Sequence, residues 1–276
     1  MLVTPDKPLG DYRSIVLARA TMDRIRASAS GGGAVTAVLL YLLDSGTVDA
    51  VVTAKRRRGL VGELVVARSS RELLEYVGNV WTVLPYTTKL REALESEDIK
   101  RVAFVGLPCQ AQLLYQMRMF PLMETDFVSK IYLVVSLFCL GTFAQEAFTE
   151  FLRVRYSLDP SKIESIRISG EGLEVVYEGT RRIIPLSEIV GCMQAGCLVC
   201  PDYTGVFSDL SAGVCESKPG YTVMIIRSAR GEEVVKAAAS KGYLEYVKAG
   251  ADVVEEVTMK AQAKALRAAK YMSILL

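Results

Sequence analysis

The 276-residue sequence predicts an α/β fold with α+β features, built on a mixed, largely parallel sheet flanked by helices. Short β-branched segments alternate with helical segments up to Pro160, and this alternation favours parallel strands joined by helices. After Pro160, three short alternating segments separated by Gly-containing turns are typical of a small antiparallel insertion. A cysteine-rich loop follows. We therefore expect one compact domain with three parts: residues 1–160, 161–258 and 259–276.

The elements of the first part are predicted from their hydrophobic patterns. Residues 34–43 are apolar nearly all round, which predicts a buried helix, and the β-branched residues 48–54 predict the strand after it. Further strands are predicted at 63–67, 100–106 and 130–137. Helices are predicted at 19–26, 71–76, 88–97, 110–120 and 144–156.

The second and third parts contain the insertion and the end of the chain. Strands at 163–169, 173–177 and 181–184 form the predicted antiparallel insertion. A strand at 221–227 and a helix at 231–239 complete the main layer. A charged helix at 259–271 closes the chain, and such an amphipathic helix more often covers its own sheet than docks a partner.

Composition excludes several classes of function. The formal net charge of +2 gives no electrostatic footprint for nucleic acid, and the basic run Lys55–Arg58 is expected in a solvated loop. No apolar run approaches 18 residues without a charge, so no membrane span is expected. The N-terminal residues lack the apolar core of a secretory signal. We therefore expect a cytoplasmic protein, whose thiols stay free or bind metal.

Three cysteines lie within the nine residues from Cys192 to Cys200, in a chain that contains no histidine. The absence of histidine excludes a zinc site with imidazole ligands. Cys197 and Cys200 have the C-x-x-C spacing that lets two thiolates hold one metal centre from a tight turn. An all-thiolate site or a disulfide remains, and a reducing cytoplasm disfavours the disulfide.

Two further cysteines, Cys109 and Cys139, each follow a predicted buried strand. The carboxyl ends of neighbouring parallel strands form the edge where α/β proteins usually bind ligands. Together with Cys197 and Cys200, these residues make four thiolates that can converge, and four thiolates suit a [4Fe-4S] cluster. Structural zinc held by four cysteines is the chemical alternative. We expect the remaining two, Cys192 and Cys215, to be buried thiols.

A glycine-rich turn, Ser30–Gly33, leads into the predicted helix that contains Thr36. Backbone N–H groups at such a helix start can hold a phosphate, and the missing side chains permit close approach. No Gly-Lys-Ser/Thr follows, so the turn is not a Walker loop. A helix cap without a ligand explains the turn equally well.

Taken together, these segments resemble the β-subunit family of coenzyme F420-reducing hydrogenase, which also includes F420-linked dehydrogenase and sulfite reductase modules. The similarity covers nearly the whole chain, from about Ser14 to Ala239. The similar pieces are Gly32–Thr36, Gly78 with Thr82 and Pro85, Pro108–Gln110, Phe138–Gly141, Gln194–Cys200 with Asp202 and Tyr203, Ser208–Gly213, Gly220–Thr222, and Ile226 with Arg227.

The resemblance implies an oxidoreductase subunit that binds FAD and a [4Fe-4S] cluster and exchanges a hydride with coenzyme F420, within a larger hydrogenase or dehydrogenase complex. Residues 1–160 would then be the flavin-binding portion. By position, the implied cluster ligands are Cys109, Cys139, Cys197 and Cys200. The implied FAD contacts are Ser30, Gly31, Gly32, Gly33, Thr36, Asn79, Trp81, Thr82 and Gln110. No residue stands out as an acid–base catalyst, and we predict none.

The sequence departs from the family pattern at three places. Val80 stands where a lysine is common, and Leu84 stands where a serine is common. Val214–Lys218 replaces a loop rich in Gly and Ser, which affects the expected deazaflavin site. Two other functions therefore stay open: a flavin-dependent reductase of another substrate on the same scaffold, and a non-enzymatic four-cysteine zinc module for complex assembly.

Overall fold

A computed structural model of the chain describes residues 3–56, 59–76, 84, 86–120, 128–169 and 171–275. The strands are β1 (Ser14–Ala20), β2 (Ala50–Arg56), β3 (Gly62–Ala67), β4 (Val102–Gly106), β5 (Ile131–Leu137), β6 (Ile163–Ser169), β7 (Gly172–Tyr177), β8 (Thr180–Ile184), β9 (Leu210–Gly213), β10 (Thr222–Ile226) and β11 (Leu244–Lys248). The helices are α1 (Asp23–Ser28), α2 (Ala34–Asp44), α3 (Ser70–Leu74), α4 (Tyr86–Glu95), α5 (Pro108–Met119), α6 (Gln145–Tyr156), α7 (Leu186–Ile189), α8 (Ala195–Leu198), α9 (Ala229–Ser240) and α10 (Ala251–Leu275). Short 3-10 turns span Pro160–Lys162 and Val190–Cys192.

Eight of the described strands form one mixed sheet, in the order β11-β1-β10-β9-β5-β4-β2-β3. The pairs β2–β4, β4–β5 and β5–β9 are parallel. The outer pairs are antiparallel, and the pairing leaves β1, β2, β4, β5 and β9 running in one direction. The predicted fold class, a mixed and largely parallel sheet flanked by helices, is confirmed.

Alternate residues of the strands pack against helices on opposite faces of the sheet, as the period of two in a strand requires. On β4, Ala103 and Val105 share a core with α2 and α9, while Val102 and Phe104 share another with α4 and α5. The long helix α10 packs on that second face as well, over β1 and β10. The sheet is thus covered on both faces, which leaves its edges as the places where a ligand can enter.

The predicted antiparallel insertion is also present. Strands β6, β7 and β8 form a separate three-stranded antiparallel sheet in that order. Its apolar face packs on α6 through residues such as Leu152, Leu173 and Ile184. The insertion places the cysteine-rich segment, which follows β8, back beside the main sheet.

The sequence predictions of secondary structure were wrong or incomplete at several elements. Arg19 and Ala20 belong to β1, and the helix that we predicted there spans only Asp23–Ser28. Strands β9 and β11 were not predicted, because β9 has only four residues and β11 lies at the sheet edge with an irregular exposure pattern. The last helix begins at Ala251 rather than near Met259.

Across the described ranges, the structure contains no helix that is long and apolar enough to cross a membrane.

Candidate functional site

The carboxyl edge of the parallel strands brings the sequence-predicted segments together. Cys109 lies three residues beyond the end of β4, and Cys139 lies two residues beyond the end of the neighbouring strand β5. The glycine-rich turn follows β1, which runs in the same direction, and it contacts Thr222 at the start of the antiparallel strand β10. Both groups of predicted site residues therefore lie along one edge of one sheet.

Cys109 lies in the first turn of α5. The side chain of Gln110, in the same turn, binds the backbone of Leu107 just before the helix. The backbone N–H of Leu107 donates to Oε1 of Gln110 at 2.6 Å, and Pro108 starts the helix without needing a donor there. Gln110, a predicted FAD contact, thus uses its carbonyl oxygen to cap this helix. The cap fixes the direction in which the exposed Cys109 leaves the sheet edge.

The loop after β5 is hydrogen-bonded to the cysteine-rich segment. The Cys139 N–H donates to the carbonyl of Tyr203 at 2.9 Å, and the Gln194 N–H donates to the carbonyl of Thr142 at 3.0 Å. The Thr142 N–H also reaches Sγ of Cys197 at 3.4 Å, and its hydroxyl lies 3.5 Å from the same sulfur. Cys139 and Cys197 are therefore held on directly connected loops.

The four predicted ligands lie close enough to influence one another's ionisation. Although the Cys109 residue is exposed, the protein around its sulfur removes part of the solvent, and this desolvation raises the pKa of the thiol. Charge on Cys200 and Cys197 raises the pKa further. Burial also raises the pKa of Cys139 to about 11, with smaller contributions from Cys197 and Cys109 in the same direction. Four negative charges in this region would repel one another strongly unless a cationic centre bound them.

The two remaining cysteines lie in hydrophobic cores, as predicted. Cys192 packs with the insertion, and burial is the cause of its raised pKa. Cys215 lies in the core beneath α10. In the part of the chain that the structure describes, no three side chains of His, Cys, Asp or Glu gather around a common point that could hold one metal ion.

Two cations on α10 bind the backbone of the cysteine loops, and the sequence analysis missed both. The Lys264 ammonium donates to the carbonyls of Cys139 at 2.6 Å and Asp202 at 2.7 Å. One turn later, Arg267 donates to the carbonyls of Leu140 at 2.8 Å and Cys197 at 3.1 Å. The available signal was the i, i+3 spacing of two basic residues among the buried alanines of this helix.

Neighbouring protein atoms explain why glycine, rather than a residue with a side chain, occupies positions in the glycine-rich turn. A Cβ on Gly32 would lie 2.6 Å from the Ala18 carbonyl and 2.9 Å from the Thr222 nitrogen. Gly33 adopts φ +72°, the left-handed conformation that glycine tolerates, and it precedes α2 without a side-chain cap. The reason we expected for glycine at position 32, space for a phosphate, was wrong: the strand backbones fill that space.

The turn nevertheless begins a helix of eleven residues whose first N–H groups have no partner within the helix. Ser30, four residues before this helix, is exposed, and Thr36 in the first turn of the helix is half-buried. The first of these groups, the Ala34 N–H, donates to Thr222 Oγ1 at 3.4 Å, so an anion would have to be held by the N–H groups that follow it. The other predicted FAD contacts, Asn79, Trp81 and Thr82, lie outside the described residues.

The loop Val214–Lys218, where the sequence departs from the family pattern, lies beside this turn. A Cβ on Gly31 would come within 2.7 Å of Val214 Cγ1. The far side of the loop is attached to α10, because the Glu256 carboxylate accepts from the N–H groups of Glu216 at 2.8 Å and Ser217 at 3.1 Å. The loop is thus a hydrogen-bonded structure rather than an open Gly- and Ser-rich segment.

Family models of the coenzyme F420 hydrogenase/dehydrogenase beta subunit match the chain in two consecutive stretches. The model of the N-terminal part matches residues 15–91, and the model of the C terminus matches residues 99–252. The chain belongs to the coenzyme F420 hydrogenase/dehydrogenase beta subunit family. The resemblance found in the sequence is therefore confirmed.

Members of this family with known names cover most of the chain. The chain is 31% identical over 264 residues to the coenzyme F420 hydrogenase subunit beta of Methanothermobacter thermautotrophicus. The aligned region spans 93% of this chain and 94% of that protein. It is 30% identical over 221 residues to the coenzyme F420-dependent sulfite reductase of Methanocaldococcus jannaschii, spanning 76% of this chain and 35% of that protein.

The fold of this family member also matches a solved structure. A chain of the F420-reducing NiFe hydrogenase complex from Methanosarcina barkeri, determined after xenon derivatization, superposes with a TM-score of 0.88. The two are 27% identical, and the match covers 99% of this chain and 94% of that one. Of the departures from the family pattern, Leu84 is buried, and Val80 lies outside the described residues.

Proposed function

We propose that this chain is an electron-transfer subunit of an F420-linked oxidoreductase complex and that it holds FAD and one [4Fe-4S] cluster. The observation that carries the proposal is that Cys109 and Cys139 follow neighbouring parallel strands, and that the segment of Cys197 and Cys200 is hydrogen-bonded to the loop after Cys139, at the sheet edge that also bears the glycine-rich turn. An all-thiolate site and an anion-binding helix start at one sheet edge would supply the two features that an iron–sulfur flavoprotein needs.

The four cysteines suit a cluster better than a single ion. A zinc ion requires four sulfur atoms about 2.3 Å from one point, whereas a cubane binds each thiolate through a different iron and tolerates a wider arrangement. Cys109 follows β4, Cys139 follows β5, and Cys197 and Cys200 belong to the segment after β8, so the four thiols come from three separate parts of the chain. The Thr142 N–H beside the Cys197 sulfur is the kind of hydrogen bond that stabilises a cluster thiolate.

The glycine-rich turn would hold the pyrophosphate of FAD. Its contribution would be the N–H groups of Val35 and Thr36 in the first turn of α2, with the Thr36 hydroxyl as a further donor beside them. When bound, a flavin accepts a hydride as two electrons and passes the electrons singly to an iron–sulfur cluster. Phe138, next to Cys139 in sequence, packs against Tyr203 with ring centroids 5.2 Å apart, in the core beneath α10.

The hydride carrier and the partners follow from the relatives. The named relatives are subunits or enzymes that use coenzyme F420, and the structural neighbour is part of a hydrogenase complex. We therefore assign F420 as the substrate and other iron–sulfur subunits of a hydrogenase- or dehydrogenase-type hetero-oligomer as the partners.

A second function is favoured by one observation. The loop Val214–Lys218 packs Val214 on Gly31 and is fastened to α10, so it narrows the approach to the turn. A narrower entrance would suit a flavin-dependent reductase of another substrate. Failure of reduced F420 to reduce a bound flavin that dithionite does reduce would favour this function.

An anaerobic absorption spectrum of the purified chain tests the proposal, with acid-released flavin, iron and zinc measured on the same sample. We expect flavin bands over a broad shoulder near roughly 400 nm, with about four irons per chain. A colourless protein with stoichiometric zinc and no flavin would overturn the proposal in favour of an assembly module.

A further inference from the structure

Lys264 is a buried cation placed between two of the cysteine loops. Its residue surface is only 3% exposed, although lysine almost never lies so deep without a partner. The ammonium donates to the carbonyl of Cys139 and to that of Asp202, two residues beyond Cys200.

No carboxylate compensates this charge in the described part of the chain. Lys264 forms no salt bridge there, in contrast to Lys260 one turn earlier, which pairs with Glu216 and Glu256. The Asp202 carboxylate is directed away and accepts from the N–H groups of Gly205 at 2.7 Å and Val206 at 3.0 Å. A buried cation with carbonyl partners alone is costly to the fold, and an adjacent anion would remove that cost.

We propose that Lys264 is the counter-charge of the iron–sulfur cluster and raises the reduction potential of that cluster. The inference rests on the proposed function, since the cluster supplies the anion. Four thiolates give the cluster a net negative charge, and each one-electron reduction by the reduced flavin adds another. A fixed positive charge in a region of low dielectric constant stabilises the more negative state, which is the reduced one.

Arg267 has a different role in this arrangement. Its guanidinium binds the carbonyls of Leu140 and Cys197, and its exposure is greater than that of Lys264. Arg267 therefore positions the loops, while Lys264 supplies the buried charge. The C-terminal helix thus serves the cluster as well as covering the sheet.

The experiment is an anaerobic redox titration of the full-length chain with dithionite and mediators, followed by electron paramagnetic resonance. Lys264→Gln keeps amide donors for the two carbonyls and removes the charge, Lys264→Arg keeps the charge, and Lys270→Gln removes an exposed charge from the same helix. We expect Lys264→Gln to lower the equilibrium constant for cluster reduction at least tenfold, about 59 mV for one electron. Lys264→Arg and Lys270→Gln should keep the wild-type potential.

Each result of this titration either supports or refutes the role of Lys264 as the counter-charge of the cluster. An unchanged potential in Lys264→Gln, with full iron and sulfide content, would overturn the inference and leave the proposed function intact. If Lys264→Gln loses iron, retention of iron and potential in Lys264→Arg would support the need for charge, and loss in both variants would refute it. A wild-type chain without any cluster would refute the proposed function and the inference with it.

Discussion

Val214 Cγ1 lies in the direction in which Gly31 would carry a side chain, 2.7 Å from the position of a Cβ. The contact joins the start of the family-atypical loop to the glycine-rich turn. It places a branched apolar side chain where the family resemblance predicts Gly or Ser. Val214 therefore fills space beside the turn that a Gly or Ser at this position would leave unfilled.

The contact between Val214 and Gly31 predicts that a smaller side chain at position 214 increases the rate of flavin reduction. In Val214→Ala we expect reduced F420 to reduce the bound flavin severalfold faster, because the loop then leaves more space beside Gly31. Stopped-flow absorbance of the flavin measures the rate. Val247→Ala, at an exposed site on the edge strand β11, is the matched control. Equal rates in wild type and Val214→Ala would show that the loop does not limit access.

The ligand set predicts which thiols are needed for iron. Replacing Cys109 or Cys197 by Ala should remove most of the iron and acid-labile sulfide, since each supplies one thiolate of the proposed four. Replacing Cys215 should leave the iron content unchanged, because that thiol lies in the core beneath α10. Iron and sulfide assays on anaerobically purified variants check this. Equal iron loss from Cys215→Ala would refute the assignment.

Gly32 is predicted to be essential for folding rather than for phosphate binding alone. In Gly32→Val the first side-chain carbon would press on the Ala18 carbonyl and the Thr222 nitrogen, and backbone atoms cannot move away cheaply. We expect a loss of about 1–3 kcal/mol in the free energy of unfolding, typical of overpacking. Urea denaturation of the cofactor-free protein measures it. Unchanged stability together with loss of flavin alone would restore the phosphate explanation.

Thr36 provides the cleaner test of the flavin site. Thr36→Val removes the hydroxyl with little change in shape, so the fold and the iron content should persist while the dissociation constant for FAD rises roughly tenfold, as loss of one good hydrogen bond predicts. Fluorescence titration of deflavinated protein measures the affinity. Ser28→Ala is the control, since Ser28 bonds to the Arg24 carbonyl within α1. If both variants bind FAD like the wild type, the turn is only a helix cap.

The sequence predicted those parts of the site that depend on local pattern. Cys109 and Cys139 were placed correctly at the sheet edge because buried strands and the residues that end them are visible in a short window. Lys264 was missed because its partners lie on loops far away in sequence, and only the fold brings them together. For the presence of glycine at position 32, the sequence analysis gave the wrong reason. A sequence shows that the residue has no side chain, but it does not show which atoms of the folded protein occupy the place where a side chain would lie.

The hydrogen-bonded Glu256 carboxylate should make the free energy of unfolding sensitive to acidic pH. Burial would raise its pKa, but hydrogen bonds from Lys260, the Glu216 N–H and Ser217 outweigh burial and lower the pKa to about 2. A group with a lowered folded pKa contributes stability that is fully present above the unfolded pKa of about 4.5 and is lost as the pH falls towards the folded pKa. We therefore expect Glu256→Gln to cost about 1–3 kcal/mol at pH 7.

The difference between wild type and Glu256→Gln should shrink between about pH 4.5 and pH 2, because the wild-type carboxylate becomes protonated in that window. Denaturant titrations at pH 7, 4 and 3 follow it, with Glu255→Gln as the control on the exposed side of the same helix. A difference that is as large at pH 3 as at pH 7 would mean that ionisation of the Glu256 carboxylate is not the source of the stability. The attachment of Val214–Lys218 to α10 would then depend on hydrogen-bond geometry rather than on charge.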